Sequence, residues 1–283
     1  MSPKEKNETG DDFPAVRPIA LFEGKPADSS VINPEDWRAT VTKLRGPPPE
    51  LPPYGILSFR YMKLFDFIEK EYEGSELDFF GKDVPLQLFS FQGMDAVLAL
   101  IPVGAAAAGM IMEDLIGLGL KTIILVGGVG VVAPNIPRGR LLLPSKAIRD
   151  EGTSFHYQEP SRYAHPSKKV SQALRQTLGE ANCEFVEGLS WTTDAPYRET
   201  HEKIRNYLTE GVVSVEMEAL ALFAIGTHRN IDIGALFIAE DYVGGKTWQD
   251  RREKGDRNEI KNQRQAALRP AIHALWNLAQ TEE

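Results

Sequence analysis

From Val212 to Ile225 the chain reads Val-Val-Ser-Val-Glu-Met-Glu-Ala-Leu-Ala-Leu-Phe-Ala-Ile, and Glu216 and Glu218 are the only charges in it. Ala219 to Ile225 are apolar on every helical face and give way to Gly226, a pattern that predicts a buried helix. Glu216 and Glu218 are then expected in its first turn, where unpaired N–H groups and the positive end of the helix dipole favour anions. Buried carboxylates are costly unless donors meet them, so a structural role as hydrogen-bond acceptors is the plain reading. A second acidic pair, Glu240-Asp241, follows a strand downstream and shifts the weight towards chemistry.

The composition bounds the rest. A chain of 283 residues, 42% hydrophobic and 25% charged, can bury one large α/β core. A net charge of −8 does not advertise the basic face that a nucleic-acid backbone requires, so a small molecule is the expected partner. Cys183 is the single cysteine, and the five histidines include no His-x-x-x-His, so no metal site is expected. Met1 to Asp12 is polar and no apolar run reaches membrane-spanning length; a soluble cytoplasmic protein that engages neither membrane nor nucleic acid is expected.

In chain order, residues 1–12 read as a disordered tail and residues 13–53 as an irregular, Pro-rich arm lying on the core or on a neighbouring subunit. Within the arm, Asn33-Pro34-Glu35-Asp36-Trp37 reads as the start of a capped short helix. Residues 54–283 then alternate between strands and helices. Tyr54 to Leu57, Leu86 to Phe91, Ala96 to Val103, Thr122 to Val126, Leu141 to Ala147, Phe185 to Trp191 and Ile231 to Ala239 are expected strands. Phe59 to Tyr72, Met110 to Leu118, Ser167 to Ala181, Glu199 to Tyr207 and 256–280 are expected helices. Gly104 to Gly109 and Gly127 to Gly130 are expected turns, as phosphate cradles or as tight packing. The alternation predicts a three-layer αβα sandwich around a central mixed sheet. Strand ends at Thr192-Thr193-Asp194 and at Glu240-Asp241 lie where open α/β sheets bind ligands. His156, in a polar loop, is open to reading as a base, a ligand contact or a loop hydrogen-bonder.

Several pieces in order resemble the nucleoside phosphorylase family, which includes uridine phosphorylase, hexameric purine nucleoside phosphorylase and the methylthioadenosine nucleosidases. They are Val126-Gly127-Gly128-Val129-Gly130, Pro137-Arg138-Gly139-Arg140, Ala147 to Tyr157, Thr192-Thr193-Asp194-Ala195-Pro196-Tyr197, Val215-Glu216-Met217-Glu218-Ala219 and Ala239-Glu240-Asp241. The resemblance marks residues 54–283 as a nucleoside phosphorylase-like domain and implies a homo-oligomer whose pockets neighbouring subunits complete. It implies that Glu218 accepts hydrogen bonds from the sugar 2′- and 3′-hydroxyls, that Met217 packs on the sugar, and that Asp241 protonates a purine as it leaves. Such groups fit the chemistry, because N-glycosidic cleavage builds an oxocarbenium-like sugar and an anionic base. Glu240 beside Asp241 is expected to help it hold its proton.

The sequence departs from the family at its phosphate positions. Where family phosphorylases carry an arginine and a serine or threonine stand Leu125 and Gly128, and Arg60 lies near the N-terminal phosphate loop without its motif. The residues that read pyrimidines in uridine phosphorylases fall at about Thr200 and Glu202, so retention of Asp241 favours a purine-like base. The candidate site is thus catalytic Asp241, Glu218 and Glu216, the last structural or water-orienting. Met217, Gly104, Gly127, Gly128, Thr193, Tyr197, His156 and Arg60 are the candidate substrate contacts. No cofactor is expected; the acceptor is phosphate as co-substrate, or water. A nucleoside sensor that has lost turnover is the alternative.

Overall fold

The computed structural model describes residues 26, 28–250 and 257–281; the expected tail and residues 13–25 and 27 of the arm lie outside them. The rest of the arm is less irregular than its prolines suggest. Asn33 and Asp36 cap each other's backbone N–H groups at 3.0 and 3.2 Å and start a 12-residue helix, α1 (Pro34–Arg45). It lies on the core: the Pro34 carbonyl would be 2.8 Å from a Cβ on Gly117, and Arg38 donates to the Gly117 carbonyl at 3.1 Å.

The remaining elements follow as β1 (Tyr54–Phe59), α2 (Phe65–Tyr72), β2 (Ser75–Leu77), β3 (Leu86–Phe91), β4 (Met94–Ile101), α3 (Ala105–Gly117), β5 (Thr122–Val131) and β6 (Leu141–Asp150). Then come β7 (Tyr163–Ala164), α4 (Lys168–Glu180), β8 (Phe185–Thr193), α5 (His201–Thr209), β9 (Val212–Glu216), α6 (Ala219–Arg229), β10 (Asp232–Tyr242) and α7 (Arg257–Gln280). All ten strands join one mixed sheet. β2, β3, β4 and β1 form one wing that ends on β5. Beyond β5 the pairings close a circuit: β5 with β9, β9 with β8, β8 with β6, β6 with β10, and β10 back to β5. The α/β class with a mixed sheet therefore holds, with α4 and α7 packed together on the sheet, α2 joined to α7 by the Arg269–Glu71 ion pair, and α1, α3 and α6 forming a second group. Among the described residues, no helix is long and apolar enough to cross a membrane.

Glycines at three places differ from expectation, and at Gly127, Gly128, Gly109 and Gly226 a neighbour needs the space a Cβ would fill. Gly127 and Gly128 are not in a turn; β5 runs straight through them to Val131. A Cβ on Gly127 would lie 2.9 Å from the Phe59 ring, and one on Gly128 would lie 2.4 Å from Glu240 Cδ. The alanines after Gly104 are helical rather than a turn, as alanine's propensity favours, and only Gly104 carries a positive φ, +103°. Gly109 sits inside α3 because a Cβ there would be 2.8 Å from Ile225 on α6. Gly226 likewise does not end its helix; a Cβ there would meet Ile233 at 2.4 Å, and α6 continues to Arg229. The expected helix from Phe59 is split, with a 3-10 turn at Arg60–Met62 ended by left-handed Lys63 before α2 begins.

Candidate functional site

Register brings the two acidic pairs to one part of the sheet. Gly130 on β5 lies between Val215 of β9 on one side and Asp241 of β10 on the other. Thr192 on β8 pairs with Glu216, and Arg149 on β6 pairs with Thr192.

Glu216 is not in the first helical turn. It ends β9, and Glu218 is the cap residue of α6. From the strand end the Glu216 carboxylate turns back onto the helix mouth, where Oε2 accepts the N–H groups of Glu218 at 2.7 Å and Ala219 at 2.6 Å. Oε1 accepts the Thr192 hydroxyl, and that hydroxyl's oxygen accepts the Leu220 N–H at 3.2 Å. Glu216 is thus the real N-cap donor-satisfier of α6, with both oxygens engaged. Glu218 faces the other way, and its Oε1 accepts the Gly104 N–H at 2.6 Å at the head of α3. Two helix N-termini therefore hold two carboxylates, and no cation pairs with either among the described residues. Burial raises the pKa of both; the charge of Glu216 raises Glu218 further, while the amide donors pull the other way.

The second pair is held by side chains. The β5–β10 register slips between Ala239 and Asp241, leaving Glu240 as the extra residue of a β-bulge, a device that re-aims side chains. Glu240, 7% exposed, lies over Gly128, and its Oε1 accepts Arg264 Nε of α7 at 2.6 Å. Asp241 Oδ2 accepts Trp248 Nε1 at 2.5 Å. Glu240, expected to help Asp241 hold its proton, is paired with Arg264. The carboxyl that feels Asp241 is Glu199, raised to about 7 by burial and then by that charge.

The other expected contacts divide. Gly104 touches Glu218 directly, and Gly127 and Gly128 lie beneath Phe59 and Glu240. Met217 is half-buried between the two glutamates. Thr193 is buried and its hydroxyl oxygen accepts the Ala195 N–H at 3.3 Å; its neighbour Thr192, named from sequence only as part of the strand end, is the one that meets Glu216. Tyr197 is 99% exposed on a 3-10 turn and joins none of these groups. Arg60 is exposed at the end of β1, without a partner among the described residues, whereas the adjacent Tyr61 reaches Gly128. His156, also exposed, lines a cavity of about 1020 Å³ with Thr153, Asp194, Met110 and Arg229. Asp194 in that lining accepts the Gly152 N–H at 2.9 Å and its charge adds to the rise of the Glu218 pKa, but neither Glu218 nor Asp241 lines the cavity. The loop beside it is organised by buried Arg149, which donates to Ser154, Ser161 and the Glu159 carbonyl at 2.7 to 2.9 Å. No signal in the sequence marked Arg264, Trp248 or Glu199, since each meets its partner only through the fold. Among the described residues, no group of three or more His, Cys, Asp or Glu is placed to hold a metal ion.

Amide-held carboxylates and a strand-end acid thus share one end of an α/β sheet. The model of the phosphorylase superfamily matches residues 63–277. Uridine phosphorylase of Treponema pallidum is 30% identical over 184 residues, 61% of this chain and 69% of that protein. Guanosine phosphorylase of Halorubrum lacusprofundi is 25% identical over 58% of this chain and 68% of its own length. Among solved structures, uridine phosphorylase from Vibrio fischeri superposes with a TM-score of 0.70 at 19% identity, over 80% of this chain and 93% of that one, a likeness of fold. An AMP nucleosidase from Bacteroides thetaiotaomicron superposes with a TM-score of 0.65 at 26% identity, over 88% of this chain and 97% of that one. The chain belongs to the phosphorylase superfamily, as an enzyme of the nucleoside phosphorylase type.

Proposed function

We propose that the protein cleaves the N-glycosidic bond of a nucleoside bearing a purine-like base, with water as the acceptor. The observation that carries the choice of water is the Glu240–Arg264 pair. A carboxylate lies over Gly128, where a second anion would meet it, and Leu125, 1% exposed, offers no charge from the core. The likeness to an AMP nucleosidase over most of both chains supports the same choice.

In this reading Glu218 keeps one oxygen on the Gly104 amide and turns the other towards the sugar hydroxyls, with Met217 against the sugar. Its negative charge favours the oxocarbenium-like transition state. Asp241, oriented by Trp248, gives a proton to the departing base. Glu216 holds the mouth of α6 with both oxygens and is a positioning residue rather than the water's base. The proton released by water goes to Glu218, and both acids re-equilibrate with solvent. Apolar side chains exposed near the site, Val103 beside Gly104 and Met110 and Ile32 at the cavity, support a homo-oligomer; light scattering on the purified chain tests that.

A panel of purine and pyrimidine nucleosides and AMP, incubated with and without phosphate, tests the function. The expected result is release of purine at the same rate in both conditions. Cleavage only when phosphate is present, or only of pyrimidines, contradicts it.

A further inference from the structure

Several groups suited to an added anion converge on a carboxylate that the protein supplies itself. Arg264 crosses from α7 to place Nε 2.6 Å from Glu240 Oε1, with 12% and 10% of the two side chains exposed. Its Nη1 donates to the Tyr61 carbonyl at 2.5 Å, and its guanidinium lies 5.3 Å from the centroid of the Tyr61 ring. The Tyr61 oxygen accepts the Gly128 N–H at 3.2 Å, and the ring stacks on Phe59 at 5.6 Å. Burial and the neighbouring Glu240 both push the Tyr61 pKa up, so the hydroxyl keeps a proton that an anion can accept.

The backbone is shaped to admit Glu240 and nothing larger beside it. The bulge in β10 supplies the extra residue, and the missing Cβ of Gly128 supplies the room: a side chain there would begin 2.4 Å from Glu240 Cδ and 2.8 Å from Oε1. A tether between α7 and the sheet would need only the ion pair. It would not need a bulge and a glycine to seat the carboxylate against the β5 backbone, among a guanidinium and a tyrosine hydroxyl. Guanidinium groups bind carboxylate and phosphate oxygens by the same charge-assisted geometry, so either anion satisfies Arg264.

We propose that Glu240 is the built-in occupant of an anion subsite, closing it to inorganic phosphate and so reserving the acceptor position for water. This rests on the hydrolytic reading above. With water, its oxygen bonds to C1′ as the C1′–N bond breaks. The base leaves with the bonding electrons and takes a proton from Asp241, and the water's proton passes to Glu218. With phosphate, a phosphate oxygen would make the same bond and a sugar 1-phosphate would form. Glu240 decides between them by occupying the space and the cation that phosphate would use.

The test uses the full chain as parent, Glu240→Ala, Glu240→Gln and the double variant Glu240→Ala/Arg264→Ala. Inorganic phosphate is titrated into each by calorimetry, and the sugar product from a purine nucleoside is identified at saturating phosphate. The expected result is that Glu240→Ala binds phosphate at least about tenfold more tightly than the parent, makes sugar 1-phosphate, and loses both gains in the double variant. Glu240→Gln, which keeps the volume and removes the charge, is expected to bind phosphate more tightly than the parent, by less; it carries the test if Glu240→Ala does not fold. A parent that makes free sugar, with single variants that bind phosphate no better, overturns the proposal and leaves the hydrolytic reading standing. A parent that itself makes sugar 1-phosphate overturns both.

Discussion

The two acidic pairs sit at the same end of the sheet and are held in opposite ways. Glu216 and Glu218 lean on backbone N–H groups at the heads of α6 and α3. Glu240 and Asp241 are tied to the side chains of Arg264 and Trp248, which arrive from elsewhere in the chain. Amides partly offset burial without cancelling charge, so the first pair keeps raised pKa values and a proton that moves near neutrality. An ion pair offsets charge directly and fixes Glu240 over Gly128. In the mechanism proposed above, the protons move through the groups without a cation, and the choice of acceptor lies with the group that has one.

The largest effects are expected at Asp241 and Glu218. Asp241→Asn, which cannot release a proton to the base, should lower kcat/KM for purine nucleosides by about 10²–10⁴-fold, read by steady-state kinetics. Glu218→Ala should cost about a hundredfold or more through lost charge-assisted bonds to the sugar; a variant as fast as the parent would remove Glu218 from the site. The same raised pKa places the acid limb of the parent's pH–rate profile above the ordinary carboxylate range, because a protonated Glu218 no longer offers its charge.

Smaller effects sharpen the distinction between amide-held and chemically active groups. Glu216→Gln should act through stability, weakening a cap worth about 0.5–2 kcal/mol and lowering the melting temperature by about 2–4 °C for each kcal/mol. Glu199 tests the neighbour of Asp241. Its pKa is raised to about 7, so the native state binds the proton more tightly than the unfolded chain does. The stabilisation is full below the ordinary carboxylate value and is lost as pH rises through about 7. Glu199→Gln should therefore show a flatter decline in melting temperature over that window than the parent, followed by calorimetric scans at several pH values.

Much of this is written locally in the chain. The alternation of apolar runs marked most strands and helices, and Asn33 with Asp36 marked the start of α1. Glu216 and Glu218 were legible because charges inside an apolar run demand donors; those of Glu216 are the next few N–H groups of the same segment, whereas Glu218 finds the distant Gly104 N–H. What local pattern misplaced was anything decided by a distant neighbour. Gly127, Gly128 and Gly226 read as turns or stops, yet each serves a contact with Phe59, Glu240 or Ile233. Arg264 follows Glu240 by 24 residues on a helix whose sequence explains itself by packing alone, so its role could not be read before the fold. Tyr197 shows the converse: its place in a motif suggested a contact, and the fold leaves it 99% exposed.

In the proposed reaction water, not phosphate, receives the sugar, and phosphorus NMR on the parent separates the two. With purine nucleoside and saturating inorganic phosphate, free base should accumulate while no phosphate-ester resonance appears. A sugar 1-phosphate resonance growing in step with free base would contradict the account.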